Sequence, residues 1–390
     1  MKRVLVLDAS QRSALAVTRS LGKRGVPVFT AEEAQSALAG CSRYSTRFFS
    51  YPSPRLHPER FVEVLAELVK EQHIDILLPM TELTTTLLLT RLDAFPDTVI
   101  PFPEMSRVDA LANKCTLMRT AESLGIPVPR TIYVDDPATL PDYQGTLPFP
   151  VVLKPGRSWL RLQNQWQRAA VKIIPNQLIF KDVIESDPAL QTQPFMIQEC
   201  VAGQGQGVFA LYDRGEPLAF FAHRRLREKP PAGGVSVLSE SIAVDPRLKS
   251  YAQALLDNAG WHGIAMVEFK VATDGTPYLM EINTRFWGSL QLAIDAGVDF
   301  PWLLYQVATG TPPVAVTEYK TGIRLRWLLG DLDSLYLTLR DPRNSLKEKL
   351  EAALHFLTPA PFRTRHETNR WADMGPFRHE LKHYLRDLFN

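Results

Sequence analysis

Cysteine is scarce. Three occur in 390 residues, Cys41, Cys115 and Cys200, and they lie far apart. That excludes a disulfide framework and any thiolate metal site with close ligand spacing. Each reads as a reduced, buried thiol of a cytosolic protein rather than a nucleophile. A charge excess is also missing: 44 Lys and Arg against 42 Asp and Glu leave a net charge of +2. Nothing in that balance calls for nucleic acid or an anionic membrane. Long apolar runs are lacking too. The N-terminus, MKRVLVLDAS, holds only Val4 to Leu7, too short for a signal-peptide core. LTTTLLLTRL is broken by Thr and Arg, and no window reaches the roughly 18 apolar residues of a transmembrane segment. The expected setting is soluble and cytoplasmic.

Glycine is absent where a dinucleotide site needs it. RVLVL reads as a buried strand, SALAVTRSLGKRG as a helix stopped at Gly25, and VPVFTAEE as a second strand. This β-α-β unit implies a parallel sheet. PERFVEVLAELVKEQHID adds an amphipathic helix and ILLPM another buried strand, so residues 1–105 form one doubly wound α/β domain. The first turn, DASQRSA, has no G-x-G-x-x-G, which counts against a nicotinamide or sugar-nucleotide site. It still lies where such sheets bind small ligands, at the strand C-terminal ends.

What is present changes from about residue 106. MSRVDALANKCTLMRTAESLGIPVPR reads as one helix. Short strands and turns follow, and YDRGEP and ATDGTP mark two hairpins. The fold class is therefore α/β plus α+β, and residues 316–390 carry helical periodicity. Their aromatic run, LRWLLGDLDSLYLTL, and basic run, FRTRHETNRW, are read as packing against the rest of the molecule, with docking of a partner, a membrane surface or a second subunit as the alternatives.

One stretch carries unusual chemistry. In YLMEINTRFWGSL, Glu281, Asn283 and Arg285 alternate with apolar residues, so a strand places them on one face. Glu268, in IAMVEFKV, lies across the ATDGTP turn. Cross-strand partners sit about 4.5–5.5 Å apart. Two facing carboxylates repel unless a hard divalent cation lies between them, Mg²⁺ most often. Asn283 adds an amide oxygen, and the Arg285 fork suits a phosphate. Lys154 ends the apolar strand FPVVLKPG. Lys114 lies in the preceding helix. MIQECVAGQGQG ends a strand in Glu199 and enters a glycine-rich turn. In FAHRRLREKPPAGGVSVLSES, His223, Arg225 and Arg227 share one strand face. Arg225 and Arg227 are expected to offer cationic partners to an anion, with Gly233, Gly234 and Ser236 as a backbone cradle for it. His262 reads as structural.

Taken in order, Lys114 in NKCTLMRTAESLGIPVPR, Lys154 in FPVVLKP, IQECVAG, Glu268 and MEINTRFWGS resemble the ATP-grasp enzymes. The resemblance covers about residues 1–310. HRRLREKPPAGGVSVLSES and NTRFWGSLQLAIDAGVDFP look like the carboxylate–amine ligases, akin to the ATP-grasp unit of the carbamoyl-phosphate-synthase large chain. It implies a Rossmann-like preATP-grasp domain at 1–105, a small subdomain with its leading helix at 106–195, a large subdomain at 196–315 and a mostly helical extension at 316–390. Lys114 and Lys154 would hold ATP phosphates, and Glu199 and the Val201 backbone would meet the adenine. Gln206 stands where the family often has an acid for the ribose. Glu268, Glu281 and Asn283 would bind one or two Mg²⁺, Mn²⁺ being an allowed substitute. Arg285 would stabilise the transferring phosphoryl group. The loop at 156–170, the candidate lid, offers Arg157 and Arg161 where many members have glycines. The implied reaction activates a carboxylate as an acyl-phosphate and joins it to an amine, with both substrates small molecules. A thiol or hydroxyl acceptor and a non-catalytic nucleotide-binding module are the alternatives, and a homodimer remains open.

Overall fold

The computed structural model describes residues 1–139, 147–162, 165–231, 233–358 and 363–389. The chain begins with β1 (Val4–Val6), α1 (Arg12–Gly22), β2 (Val28–Glu32), β3 (Arg47–Ser50), α2 (Pro58–Glu71), β4 (Ile76–Leu78) and α3 (Glu82–Leu89). The four strands pair in parallel in the order β3-β2-β1-β4. β1 and β4 are buried throughout, as a parallel sheet covered on both faces requires. Their shared mouth is organised without glycine. Asp8 itself takes a positive φ of 51°, a conformation that Asp tolerates better than most residues. Its carboxylate accepts from the Met80 and Thr81 N–H groups and the Thr84 hydroxyl. Burial pushes its pKa up to about 6.

The segment read as one helix is two, α4 (Met105–Ala112) and α5 (Lys114–Ser123). Asn113 between them is extended, and its side-chain oxygen accepts from the Cys115 and Thr116 N–H groups, capping α5. A second sheet follows, built from β5 (Thr131–Val134), β6 (Val151–Pro155), β9 (Lys172–Ile174) and β10 (Phe195–Glu199) in the order β5-β10-β6-β9, all antiparallel. Between β6 and β9 the chain forms a separate hairpin, β7 (Trp159–Leu162) with β8 (Gln165–Arg168). α6 (Gln177–Ser186) and α7 (Pro188–Thr192) lead into β10.

The third sheet is the largest. It contains β11 (Gly203–Asp213), β12 (Glu216–Lys229), β13 (Val235–Ile242), β14 (Gly263–Ala272) and β15 (Pro277–Asn283), with α8 (Pro246–Asn258) between β13 and β14. α9 (Leu290–Ala296) and α10 (Phe300–Ala308) follow. The chain finishes with β16 (Arg324–Arg326), α11 (Leu328–Arg340), α12 (Leu346–Leu357), β17 (Thr364–His366) and α13 (Gly375–Phe389). β16 and β17 extend the sheet to β15-β14-β11-β12-β13-β16-β17. The C-terminal segment is thus part of the main sheet as well as helical.

Both expected hairpins form, with Gly215 (φ 93°) in the first turn and Gly275 (φ 85°) in the second. His262 accepts from the Arg214 N–H in the first. One face of the main sheet packs Phe209, Phe221 and Met266 on α9, α10 and the N-terminal domain. The other packs Val208, Val267 and Phe269 on α5 and α8. The two ends of the chain are clasped together. Arg19 of α1, fully buried, pairs with Asp373 at 2.7 Å and donates to the Glu367, Thr368 and Asp373 carbonyls.

Candidate functional site

The register of the β14–β15 hairpin sets the site. Glu268 stands directly opposite Glu281, and Met266 opposite Asn283. A bulge after Glu268 leaves Met280 extra on β15, which keeps Glu281 aligned with its partner. Asn283 Nδ2 donates to Glu281 Oε1 at 3.0 Å, so its amide oxygen is turned away from that carboxylate. Three other elements converge on Glu281. Lys114, at the start of α5, brings its ammonium to 3.8 Å. Lys154, near the end of β6, reaches over from the second sheet to within 4.0 Å of the Met280 sulfur. Arg285, held by the Phe286 carbonyl, adds its positive charge.

These charges sort the protonation states. Burial pushes Glu281 up, but Lys114, the Asn283 amide, Lys154 and Arg285 outweigh it, so its pKa is lowered. Its side chain is 35% exposed. Glu268 is raised by burial and by the Glu281 and Glu228 charges, despite Arg225. Burial lowers Lys154 to about 8, against the pull of Glu281.

GQGQG, read from sequence as a turn, lies inside β11 between β14 and β12. Gly207 pairs with Glu268 on one side and His223 on the other. Gly205 and Gly207 therefore leave the strand bare on that face, and a Cβ at Gly205 would stand 3.2 Å from Arg225 Cδ. Across this trough Arg225 Nη2 meets Glu268 Oε2 at 2.5 Å. Gln206 pairs with Phe269 and takes the opposite face, so the structure does not bring it into the row. Glycine on alternate residues serves a turn or a trough equally well, and the strand decides it here.

Arg225 and Arg227 do not share a face. The β12–β13 register shifts on both sides of Arg227, and its fork goes to Asp331 of α11 at 2.6 Å on both oxygens. Arg227 is thus a link between sheet and C-terminal segment. Glu228, which the sequence reading passed over, holds Arg225 Nη1 at 3.1 Å. Its other oxygen accepts from the Gly234 N–H at 3.3 Å, so that N–H is engaged by a carboxylate rather than open to an anion. Gly233 forms the turn with φ 130°. The Ser236 hydroxyl is buried without a partner. His223 lies 1% exposed beneath the row, touching Ser289, and burial with Arg225 drives its pKa down to about 3.

At the other end, Glu199 closes β10. Its carboxylate accepts from the Arg130 N–H and pairs with the guanidinium at 2.8 Å, which lowers its pKa. Val201 follows between β10 and β11, and its backbone has no hydrogen bond among the described residues. The β7–β8 hairpin occupies most of the expected lid, of which residues 163–164 lie outside the described residues. Its Trp159 and Trp166 pack on the N-terminal core, and the Trp166 N–H donates to the Arg55 carbonyl at 3.2 Å. Arg157 pairs with Asp109 at 2.7 Å and Arg161 with Glu59 at 2.9 Å, so neither points into the row. Ser158, another residue the sequence did not flag, accepts from Lys114 at 3.0 Å.

A hard divalent cation fits the pair. Glu268 and Glu281 supply oxygens from adjacent strands, and Asn283 presents an amide oxygen. Among the described residues no set of three or more His, Cys, Asp or Glu side chains gathers as a metal site, so this site offers a pair of carboxylates and an amide. Two carboxylates are what Mg²⁺ uses when substrate phosphates complete its shell.

A parallel α/β domain followed by two sheets that bring lysines and paired carboxylates together defines the class: the chain has the ATP-grasp fold. More narrowly, residues 191–330 match the family described as ATP-grasp in the biosynthetic pathway with Ter operon. Among solved structures, biotin carboxylase from Campylobacter jejuni, in its β-γ-ATP complex, has a TM-score of 0.65 at 14% identity, covering 83% of this chain and 74% of that one. N5-carboxyaminoimidazole synthetase from Staphylococcus aureus has 0.61 at 16%, covering 83% and 82%. L-amino acid ligase from Bacillus licheniformis has 0.60 at 15%, covering 79% and 74%. No curated protein matches the sequence significantly. Among the described residues no helix is long and apolar enough to cross a membrane.

Proposed function

We propose that the protein is an ATP- and Mg²⁺-dependent ligase that activates a small carboxylate as its acyl-phosphate and joins it to an amine. The observation that carries this reading is the Glu268–Glu281 cross-strand pair facing Lys154 and Lys114, which come from separate elements. Lys114 and Lys154 hold the nucleotide phosphates, and the open Val201 backbone beside Glu199 takes the purine edge. Glu268, Glu281 and Asn283 would hold Mg²⁺, which when bound neutralises phosphate charge. Arg285 faces the phosphoryl group in transit. Arg225 exchanges Glu268 for the substrate carboxylate once the acid is otherwise engaged.

In the first step a carboxylate oxygen attacks the γ-phosphorus, and the bond to the ADP oxygen breaks. In the second an amine attacks the acyl carbon, forming C–N and expelling phosphate. The chain's contribution is positioning and charge, with water kept off the acyl-phosphate. The β7–β8 hairpin, beside Lys114, is the element placed to exclude it.

A phosphate-release screen tests the reading, with amino acids and other carboxylates offered alone and in pairs. Release that requires ATP, Mg²⁺ and two substrates supports ligation, and hydroxamate formation with hydroxylamine marks the acyl-phosphate. Release with no carboxylate, or none at all, overturns it.

A further inference from the structure

Both rails of the site lead to Arg12, the first residue of α1, in the glycine-free DASQRSA turn. On one rail, the Gly234 carbonyl accepts from Arg225 at 3.3 Å. Two residues along β13, about 7 Å, the Ser236 carbonyl lies 3.4 Å from both Arg12 Nη atoms. On the other, Gly288 follows Arg285 by three residues, and a Cβ there would come within 2.9 Å of Arg12 Nη2. Arg12 then stacks on Trp327 at 4.2 Å and pairs with Glu367 Oε2 at 2.5 Å. Trp327 Nε1 donates to Glu380 Oε1 at 2.5 Å. The C-terminal segment thus delivers two carboxylates beside one guanidinium.

The second oxygen of each carboxylate is left over. Glu367 is 2% exposed, yet its Oε1 is buried without a partner, and so is Glu380 Oε2. The hydroxyl of Ser236, whose carbonyl faces Arg12, is orphaned as well. Nearby cations are committed elsewhere, Arg370 to Asp295 and Lys229 to Asp333. Buried charges and polar atoms in native proteins are paired. Burial and the neighbouring Glu380 charge push the Glu367 pKa up despite Arg12, and hydrogen-bond donors are what the orphaned oxygens need.

We propose that Glu367 Oε1 and Glu380 Oε2 form the recognition site for the ammonium group of the acceptor amine. This rests on the ligase reading above and adds the acceptor's class: a primary amine that arrives charged. Glu367 takes the proton that the ammonium must lose, and the free amine attacks the acyl carbon. Phosphate leaves as the C–O bond breaks. Arg12 is a positioning residue that fixes Glu367 against Trp327.

The test compares two nucleophiles. A pool of amino acids and simple carboxylic acids supplies acyl groups and charged amines, and hydroxylamine, uncharged near neutral pH, serves as the second acceptor. Amides are read by mass spectrometry and hydroxamates by their iron colour. Glu367→Gln should lower amide formation about 10- to 100-fold, the worth of a hydrogen bond to a charged group, while hydroxamate formation falls by less than about 3-fold on the same scale. Glu380→Gln, at a less buried residue, should raise the KM for the amine more than it lowers kcat. Equal loss of both products in a Glu367→Gln protein that melts like wild type overturns the ammonium site, as does unchanged amide formation in both variants. A wild type that makes hydroxamates and no amides overturns it alone. A wild type that makes neither removes the ligase reading beneath it.

Discussion

The β14–β15 hairpin is held by its own sheet, whereas the β7–β8 hairpin is held by a different part of the chain. The first has β11 along its flank and buried side chains behind Glu268 and Glu281. Its position is fixed by ladder hydrogen bonds and by apolar burial on both sides. The second is two strands alone, fastened to the N-terminal domain by two half-buried tryptophans and by the Arg161–Glu59 pair, both of whose side chains are largely exposed. An isolated two-stranded hairpin is marginal in water, so its place depends on those contacts. The lesson is a division of labour: the charges that must be precise sit on the rigid hairpin, and the element proposed to exclude water from them is fastened by few and replaceable contacts.

The comparison can be broken first at the rigid hairpin. Glu281→Gln should reduce turnover roughly 1,000-fold, on the scale of losing a central electrostatic group, with circular dichroism and melting unchanged. An active, Mg²⁺-dependent variant would show the metal misplaced. Next is the fastening. Trp166→Ala should cost roughly 2 kcal/mol locally, less than a full core truncation, and hydrogen exchange in residues 159–168 should quicken while β14 and β15 keep their protection.

The support beneath that hairpin carries a pH dependence. The folded pKa of Asp8 is raised to about 6 from 3.8. Between those values the folded chain binds a proton that the unfolded chain has released. The stability Asp8 contributes is therefore complete below about 3.8 and lost as pH rises through about 6. Asp8→Asn should remove that slope, up to about 3 kcal/mol, as read by denaturant titrations across the window. The smallest effect belongs to Arg161→Ala. An exposed pair is worth about 0–1 kcal/mol, so melting should barely move, and the change should fade at high salt.

The same contrast explains what the sequence shows and what it hides. The acidic row was readable because its cause is local: alternation along two strands and a Gly turn that fixes their register. The parallel domain was readable for a similar reason, from strand–helix–strand periodicity. Arg227 was not, because a bulge between it and Arg225 leaves no composition mark, and its partner Asp331 lies 104 residues on. Gln206 was misplaced because alternate glycines fit a turn and a bare strand face equally. Asn113 broke a helix that periodicity alone continues. β16 and β17, three residues each, exist because a sheet edge receives them. The fastening of β7–β8 to Arg55 and Glu59, and the pairing of Arg12 with Glu367, join residues up to 355 apart. No local pattern records such distances.

Arg19 gives the clasp between the chain ends a further meaning. A guanidinium in the first helix satisfies itself on carbonyls and a carboxylate that are synthesised some 350 residues later. While the polypeptide emerges from the ribosome, that helix has a charge to bury and nothing to bury it against. The opening domain is thus finished last, and a nascent chain cut short before Asp373 would carry an incomplete beginning as well as a missing end.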